Sequence, residues 1–222
     1  GVYAIGDVHG HTDKLRRLHA AIADDLAARP CANATLVHLG DYIDQGPDGA
    51  GVVSLLAAGP AIAGIRIVCL LGDHERMLVD ALNGDKAAAT DWLWAGGRET
   101  LTSWGLSGDL PREEWEASLP DEHVRFLRGL APSFRIGSYF FVHAGVRPGV
   151  PLEQQTLDDL TTMRQPFLWS EDDFGVVVVH GHSSTPSATI QKNRIGLDTG
   201  AGLGDRLTCA VFEDDVLALI AV

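Results

Sequence analysis

Three short stretches place aspartate beside histidine or a second aspartate directly behind an apolar run. Gly6-Asp7-Val8-His9-Gly10 follows Val2-Tyr3-Ala4-Ile5, and Gly40-Asp41-Tyr42-Ile43-Asp44-Gln45 follows residues 34–39. Gly72-Asp73-His74-Glu75 follows residues 65–71. Two later runs end in histidine: Tyr139-Phe140-Phe141-Val142 before His143, and residues 176–179 before His180-Gly181-His182. Hard carboxylate oxygen mixed with imidazole nitrogen, and no thiolate, suits a catalytic first-row divalent ion such as manganese, iron or zinc, not a structural zinc. A lone histidine behind a valine run is ordinarily a hydrogen-bonded core residue. That reading does not account for Asp7, His9, Asp41, Asp73, His74, His143 and His182 all standing at the tips of such runs. So many ligand-type residues exceed the needs of one catalytic ion with open positions, and suit two ions bridged by a carboxylate.

The elements that position these residues follow from the same pattern. Apolar runs read as strands, and each of the first three is followed by a helix. The first helix spans residues 12–29, with Leu15, Leu18, Ile22 and Leu26 as its stripe. The second covers about residues 50–58, with Asp48 read as its capping residue. The third carries Met77, Leu78 and Leu82. Strands alternating with helices predict a parallel α/β sheet whose ligands lie beyond the strands' C-terminal ends. His11 and His19 are expected at the surface or as helix caps. Residues 87–130 hold Trp92, Trp94, Trp104 and Trp115 among helical patterns broken by glycine and proline. They read as a helical insert or cap within a single domain of residues 1–222, with the tryptophans as its core. Strands are expected again at 139–142, 176–179, 194–198, 207–212 and 216–221, with Glu213-Asp214-Asp215 as the last hairpin turn.

Composition sets the class. A hydrophobic content of 45% with 21% charged residues is that of a soluble globular protein. No apolar run approaches the roughly 20 residues of a membrane span, and no secretory leader is visible. A net charge of −13 argues against nucleic-acid backbones as partner or substrate. Of three cysteines, Cys69 and Cys209 lie in apolar runs and read as small buried hydrophobes in a reducing cytoplasm; Cys31 completes an odd count that suits no disulfide framework.

The motifs GDVHG, GDYIDQGPDG, GDHE, FVHAG and HGH occur in that order over residues 6–182. The set resembles the calcineurin-like metallophosphoesterases, and within them the bacterial type of the phosphoprotein (serine/threonine) phosphatase branch. Asn193-Arg194, Asp198-Thr199-Gly200 and Gly204-Asp205-Arg206-Leu207 are similar to the tail of bacterial members. The resemblance implies a two-sheet β-sandwich flanked by helices, with two divalent metals where strand tips meet. Manganese is the first expectation for them, with iron, zinc, nickel or cobalt as alternatives. It implies that Asp7 and His9 hold the first ion, that Asp41 bridges, and that Asp73, His143 and His182 hold the second. It implies attack by a metal-bound hydroxide on a phosphorylated protein, peptide or small phosphoester. Asp44 then orients His74, which protonates the leaving oxygen, while His180 has only a supporting place.

Three places depart from the family pattern. Gln45 stands where an arginine clamps the substrate phosphate, Asp73 stands for an asparagine ligand, and Thr161-Thr162 replace a Leu-Trp pair ahead of Arg164, the candidate for the second phosphate arginine. The leading expectation is therefore a phosphomonoesterase, with a dinucleoside polyphosphate hydrolase as the alternative. From another class stands a non-catalytic metal-binding protein.

Overall fold

The computed structural model describes residues 1–213 and 216–222. The first sheet has the order β10-β9-β1-β2-β3. Its parallel heart is β1 (Val2–Ile5), β2 (Ala34–His38) and β3 (Ile65–Cys69), and β9 (Thr208–Glu213) and β10 (Val216–Ala221) add antiparallel beside β1. Helices α1 (Thr12–Ala28), α2 (Gly49–Ala58) and α3 (Asp73–Leu82) follow the three parallel strands. The second sheet has the order β4-β5-β6-β8-β7, built from β4 (Ser133–Ile136), β5 (Tyr139–Val142), β6 (Val177–His180), β7 (Thr189–Ile190) and β8 (Arg194–Gly196). Both sheets are mixed, and β5, β6 and β8 form the parallel part of the second. Asp214 and Asp215 of the expected last turn lie outside the described residues.

Side-chain alternation along the strands divides the core into layers. Val2 and Ala4 of β1, Val37 of β2, Phe141 of β5 and Val179 of β6 face the space between the sheets. Tyr3, Ile5 and Leu36 face outward, onto Leu15, Leu18 and Ile22 of α1 and the helices beside it. Phe140, Val142 and Val178 cover the outer face of the second sheet with Leu160 of α8 (Leu157–Thr162). Strands covered on both faces read as continuous apolar runs, which is why they were legible. The two-residue β7 and the short β4 carry too little pattern to be read, and neither was expected.

Residues 86–128 hold four short helices: α4 (Lys86–Trp92), then a kink within Leu93–Gly97 where Gly96 leaves helical geometry, α5 (Arg98–Ser103), α6 (Arg112–Ser118) and α7 (Asp121–Arg128). Trp92 and Trp115 pack edge to face at 5.0 Å and join the cluster that holds Ile5, Leu15 and Leu78. Trp104 is partly buried and donates its indole N–H to His123 Nδ1 at 2.8 Å. Trp94 departs from the expected core role, being 87% exposed.

Asp48 caps α2 as expected, its Oδ1 accepting the Gly51 N–H at 2.9 Å. His19 is a correction. Position 19 falls on the apolar stripe, four residues after Leu15, and its ring is buried against His38 with Nε2 to Nε2 at 2.9 Å. Burial lowers its pKa to about 4, so the pair is neutral and shares one proton.

Candidate active site

Five strands deliver the predicted residues to one end of the sandwich. β1 leads into Asp7 and His9, β2 into Asp41 and Asp44, β3 into Asp73 and His74, β5 into His143, and β6 into His182. The turns that receive them are unusual. Among the described residues, the non-glycine positions with positive φ are His9, Asp41, Asp44, Gln45 and His182, at 44° to 68°. Each such residue costs of order 1–3 kcal/mol and persists only where the surroundings over-determine it. Gly72 precedes Asp73 because nothing larger fits: a Cβ there would lie 2.2 Å from Asp41 Oδ1.

The donors form two groups that share Asp41. One is Asp41, Asp73, His143 and His182; the other is His9, Asp41 and His74, with the ligand-type atoms of each group within 4.8 Å of one another. Asp73 Oδ1 meets His143 Nε2 and His182 Nδ1, both at 2.9 Å. Asp41 meets His143 Nε2 through Oδ1 at 3.3 Å and His9 Nε2 through Oδ2 at 3.5 Å. Asp7 stands outside both compact groups, its carboxylate accepting the His182 N–H at 3.0 Å.

Main-chain carbonyls select the tautomers. A carbonyl only accepts, so His9 Nδ1 donates to Ile43 O and His143 Nδ1 donates to Leu39 O, each at 2.9 Å. That leaves Nε2 of both rings as the coordinating atom, aimed at the shared carboxylate. Mixed oxygen and nitrogen donors with ring tautomers already set fit two divalent cations.

His74 is arranged differently. Its Nδ1 lies 2.7 Å from Asp44 Oδ2, and its ring packs edge to face on His9 at 4.9 Å. Burial alone would lower its pKa, but the carboxylates of Asp41, Asp44 and Asp73 outweigh it and raise the pKa to about 10. In the metal-free chain these carboxylates favour the protonated ring, which lines a cavity. That cavity, about 310 Å³, also meets Gln45 and Arg164. Arg164 lies past the end of α8, not on it, and touches Ser183 Oγ at 3.2 Å. His180 takes no part in the donor groups. It is buried, its Nδ1 donates to Gly181 O at 3.0 Å, and burial lowers its pKa to about 4.

Three further residues belong to the site. Glu75 is buried with its carboxylate on the main-chain N–H groups of Asp41, Tyr42 and Ile43 at 2.7–3.1 Å. Asp198 is buried and lines the cavity. Both carried a signal: Glu75 lies within a quoted motif, and Asp198 ends an apolar run as Asp7 does. Thr100, whose hydroxyl reaches Asp44, carried none.

A family model described as calcineurin-like phosphoesterase matches residues 2–218. Over 148 residues the chain is 31% identical to a symmetrical bis(5'-nucleosyl)-tetraphosphatase of Methylococcus capsulatus, covering 66% of this chain and 44% of that protein. Over 97 residues it is 34% identical to serine/threonine-protein phosphatase 1 of Salmonella typhimurium, covering 43% of this chain and 38% of that one. A solved structure provisionally assigned as a diadenosine tetraphosphatase shares the fold with a TM-score of 0.70 at 24% identity, covering 99% of this chain and 92% of the other. The matches span less than half the length of these two curated relatives. The chain belongs to the calcineurin-like phosphoesterase family. Its two donor clusters are groups of residues that could hold metal ions. No helix among the described residues is long and apolar enough to cross a membrane.

Proposed function

We propose that the chain is a dimetal-dependent phosphomonoesterase acting on phosphorylated proteins or peptides, with manganese as the working ion. The observation that carries this reading is the Asp44–His74 contact of 2.7 Å beside the two donor groups. A protein that only bound metal would need no acid held by a carboxylate.

Asp41, His9, Asp73, His143, His182 and Asp7 hold the cations in this reading. Bound there, two divalent ions supply Lewis acidity toward phosphoryl oxygens and a water acidic enough to act near neutral pH. Arg164 and Gln45 face the phosphate from the cavity wall. His74 gives its Nε2 proton to the ester oxygen as the bond to phosphorus breaks, and Asp44 keeps the Nδ1 proton in place. The second reading, hydrolysis of dinucleoside polyphosphates, is supported by the name of the Methylococcus relative, whose match covers more of this chain than the phosphatase match does.

The test is kcat/KM of manganese-loaded protein on p-nitrophenyl phosphate, phosphopeptides and a dinucleoside tetraphosphate. Phosphopeptides are expected to lead. A preference for the tetraphosphate selects the second reading, and no turnover at full metal occupancy selects a metal-binding protein without activity.

A further inference from the structure

Thr100, in α5 of the helical segment, reaches into the pair that holds the acid. Its Oγ1 donates to Asp44 Oδ1 at 2.6 Å and accepts the Asp44 main-chain N–H at 2.9 Å. The other carboxylate oxygen of Asp44 is the one on His74 Nδ1, at 2.7 Å. Thr100 and Asp44 are both 0% exposed, so solvent cannot replace either bond.

The seat of Thr100 is fixed from three sides. The kink between α4 and α5 puts Gly96, at φ 117°, against the Asp44-Gln45 turn: a Cβ there would lie 2.8 Å from Gln45 N and 3.0 Å from Asp44 Cβ. The methyl of Thr100 lies against Gly49, where a Cβ would be 3.2 Å away. One turn further, Ser103 Oγ accepts the Ala50 N–H at 2.9 Å. This kink brings the chain close enough to Asp44 for the hydroxyl three residues after Gly97 to reach it.

We propose that Thr100 is a positioning residue for the general acid, and that residues 86–128 therefore act in the chemistry and not only as a cover. A carboxylate held through one oxygen can rotate about its Cβ–Cγ bond. With Oδ1 pinned by Thr100, Oδ2 has one direction, and His74 Nδ1 must follow it. That orients Nε2 toward the cavity, from which a proton can pass to a leaving oxygen. The geometric part of this proposal stands on the hydrogen bonds alone; its catalytic part rests on the reading of His74 as the acid.

The variants are Thr100→Val, which keeps the shape and removes the hydroxyl, and Thr100→Ser, which keeps the hydroxyl. Thr100→Ala repeats the test if the valine variant does not fold. With metal-loaded protein, Thr100→Val is expected to lower kcat on an alkyl phosphate about 10–100-fold, the effect of losing one hydrogen bond to a charged group. The loss on p-nitrophenyl phosphate, whose leaving group needs little protonation, is expected to stay within about threefold. Thr100→Ser should stay within about threefold on both esters, and Thr100→Val should add nothing in a His74→Asn background. Equal losses on the two esters, or a serine variant as poor as the valine one, overturn the proposal. The proton NMR signal of His74 Nδ1–H gives a readout that needs no turnover: it is expected to move in Thr100→Val and stay in Thr100→Ser. A signal unmoved in Thr100→Val also overturns the proposal. If that signal moves as expected while the wild type turns over no phosphoester, positioning of His74 stands and the assigned activity falls.

Discussion

Glu75 Oε2 accepts the main-chain N–H of Asp41 at 2.9 Å, so the first turn of α3 holds the loop after β2 in place. The other oxygen takes the N–H groups of Tyr42 and Ile43 at 2.7 and 3.1 Å. Asp41 and Asp44 stand at positive φ on that loop, and these three bonds are part of what keeps them there. Burial first, and then the charge of Asp41, raise the Glu75 pKa to about 8.

Glu75→Gln is expected to destabilise the fold at a pH above about 8, where the carboxylate is ionised. An amide has one accepting oxygen, and its NH2 would face an N–H that needs an acceptor. The loss should be about 2 kcal/mol, or about 4–8 °C in Tm for a chain of this size. Calorimetry of the metal-free variant measures it, and an unchanged Tm would show that the three bonds contribute nothing net.

Sharing of Asp41 between the two donor groups predicts unequal losses of metal. The wild type should bind about two Mn²⁺ per chain and gain Tm from them by linkage. His143→Asn removes a donor from one group only and should leave about one ion; Asp41→Asn weakens both groups and should leave fewer. Elemental analysis after removal of free metal decides, and an Asp41→Asn protein that keeps both ions contradicts the bridging assignment.

Stability of the metal-free protein should fall as pH rises. Burial raises the Asp7 pKa well above 3.8 and the Glu75 pKa from 4.5 to about 8. Against the downward pull of burial, Asp41 and Asp73 hold His143 well above 6.5, and Asp41 with Asp44 holds His74 near 10. Each of these groups binds its proton more tightly in the folded state than in the unfolded chain. Their contribution is therefore complete below the unfolded values and is lost as pH rises through the folded ones. Asp73 and Asp41, held below 3.8 by His143 in spite of burial, act in the opposite sense, and their contribution disappears only as pH falls below that value. Metal binding needs unprotonated nitrogen, so Mn²⁺ affinity should rise over the same range. Tm against pH with chelator and with Mn²⁺ tests both trends; a chelated protein that gains Tm between about pH 6 and about pH 9 contradicts the first.

Gln45 lines the same cavity as Arg164, and the motif resemblance implies a phosphate-binding arginine at its position. A guanidinium fork grips two phosphate oxygens, which a neutral amide cannot match. Gln45→Arg is expected to raise kcat/KM on a phosphomonoester about tenfold, at fixed metal and salt. No gain, with metal occupancy unchanged, removes Gln45 from the phosphate-binding wall.

Sequence alone placed the ligand-type residues at the ends of particular strands. A run of apolar residues reports a strand buried on both faces, and the polar residues that end it must emerge where the ligand lies. Asp7, His9, Asp41, Asp73, His143 and His182 were legible for that reason, and so was the α/β sandwich that carries them. Only the tertiary structure decided what holds each of them. His143 takes its tautomer from Leu39 O, 104 residues away, and Asp44 takes its second partner from Thr100, 56 residues away. The positive φ values at five site residues and the burial of His19 against His38 belong to the same kind. Periodicity records which way a side chain faces along its own strand or helix. A hydrogen-bond partner is chosen by the packing of elements far apart in the chain, and no local pattern encodes it.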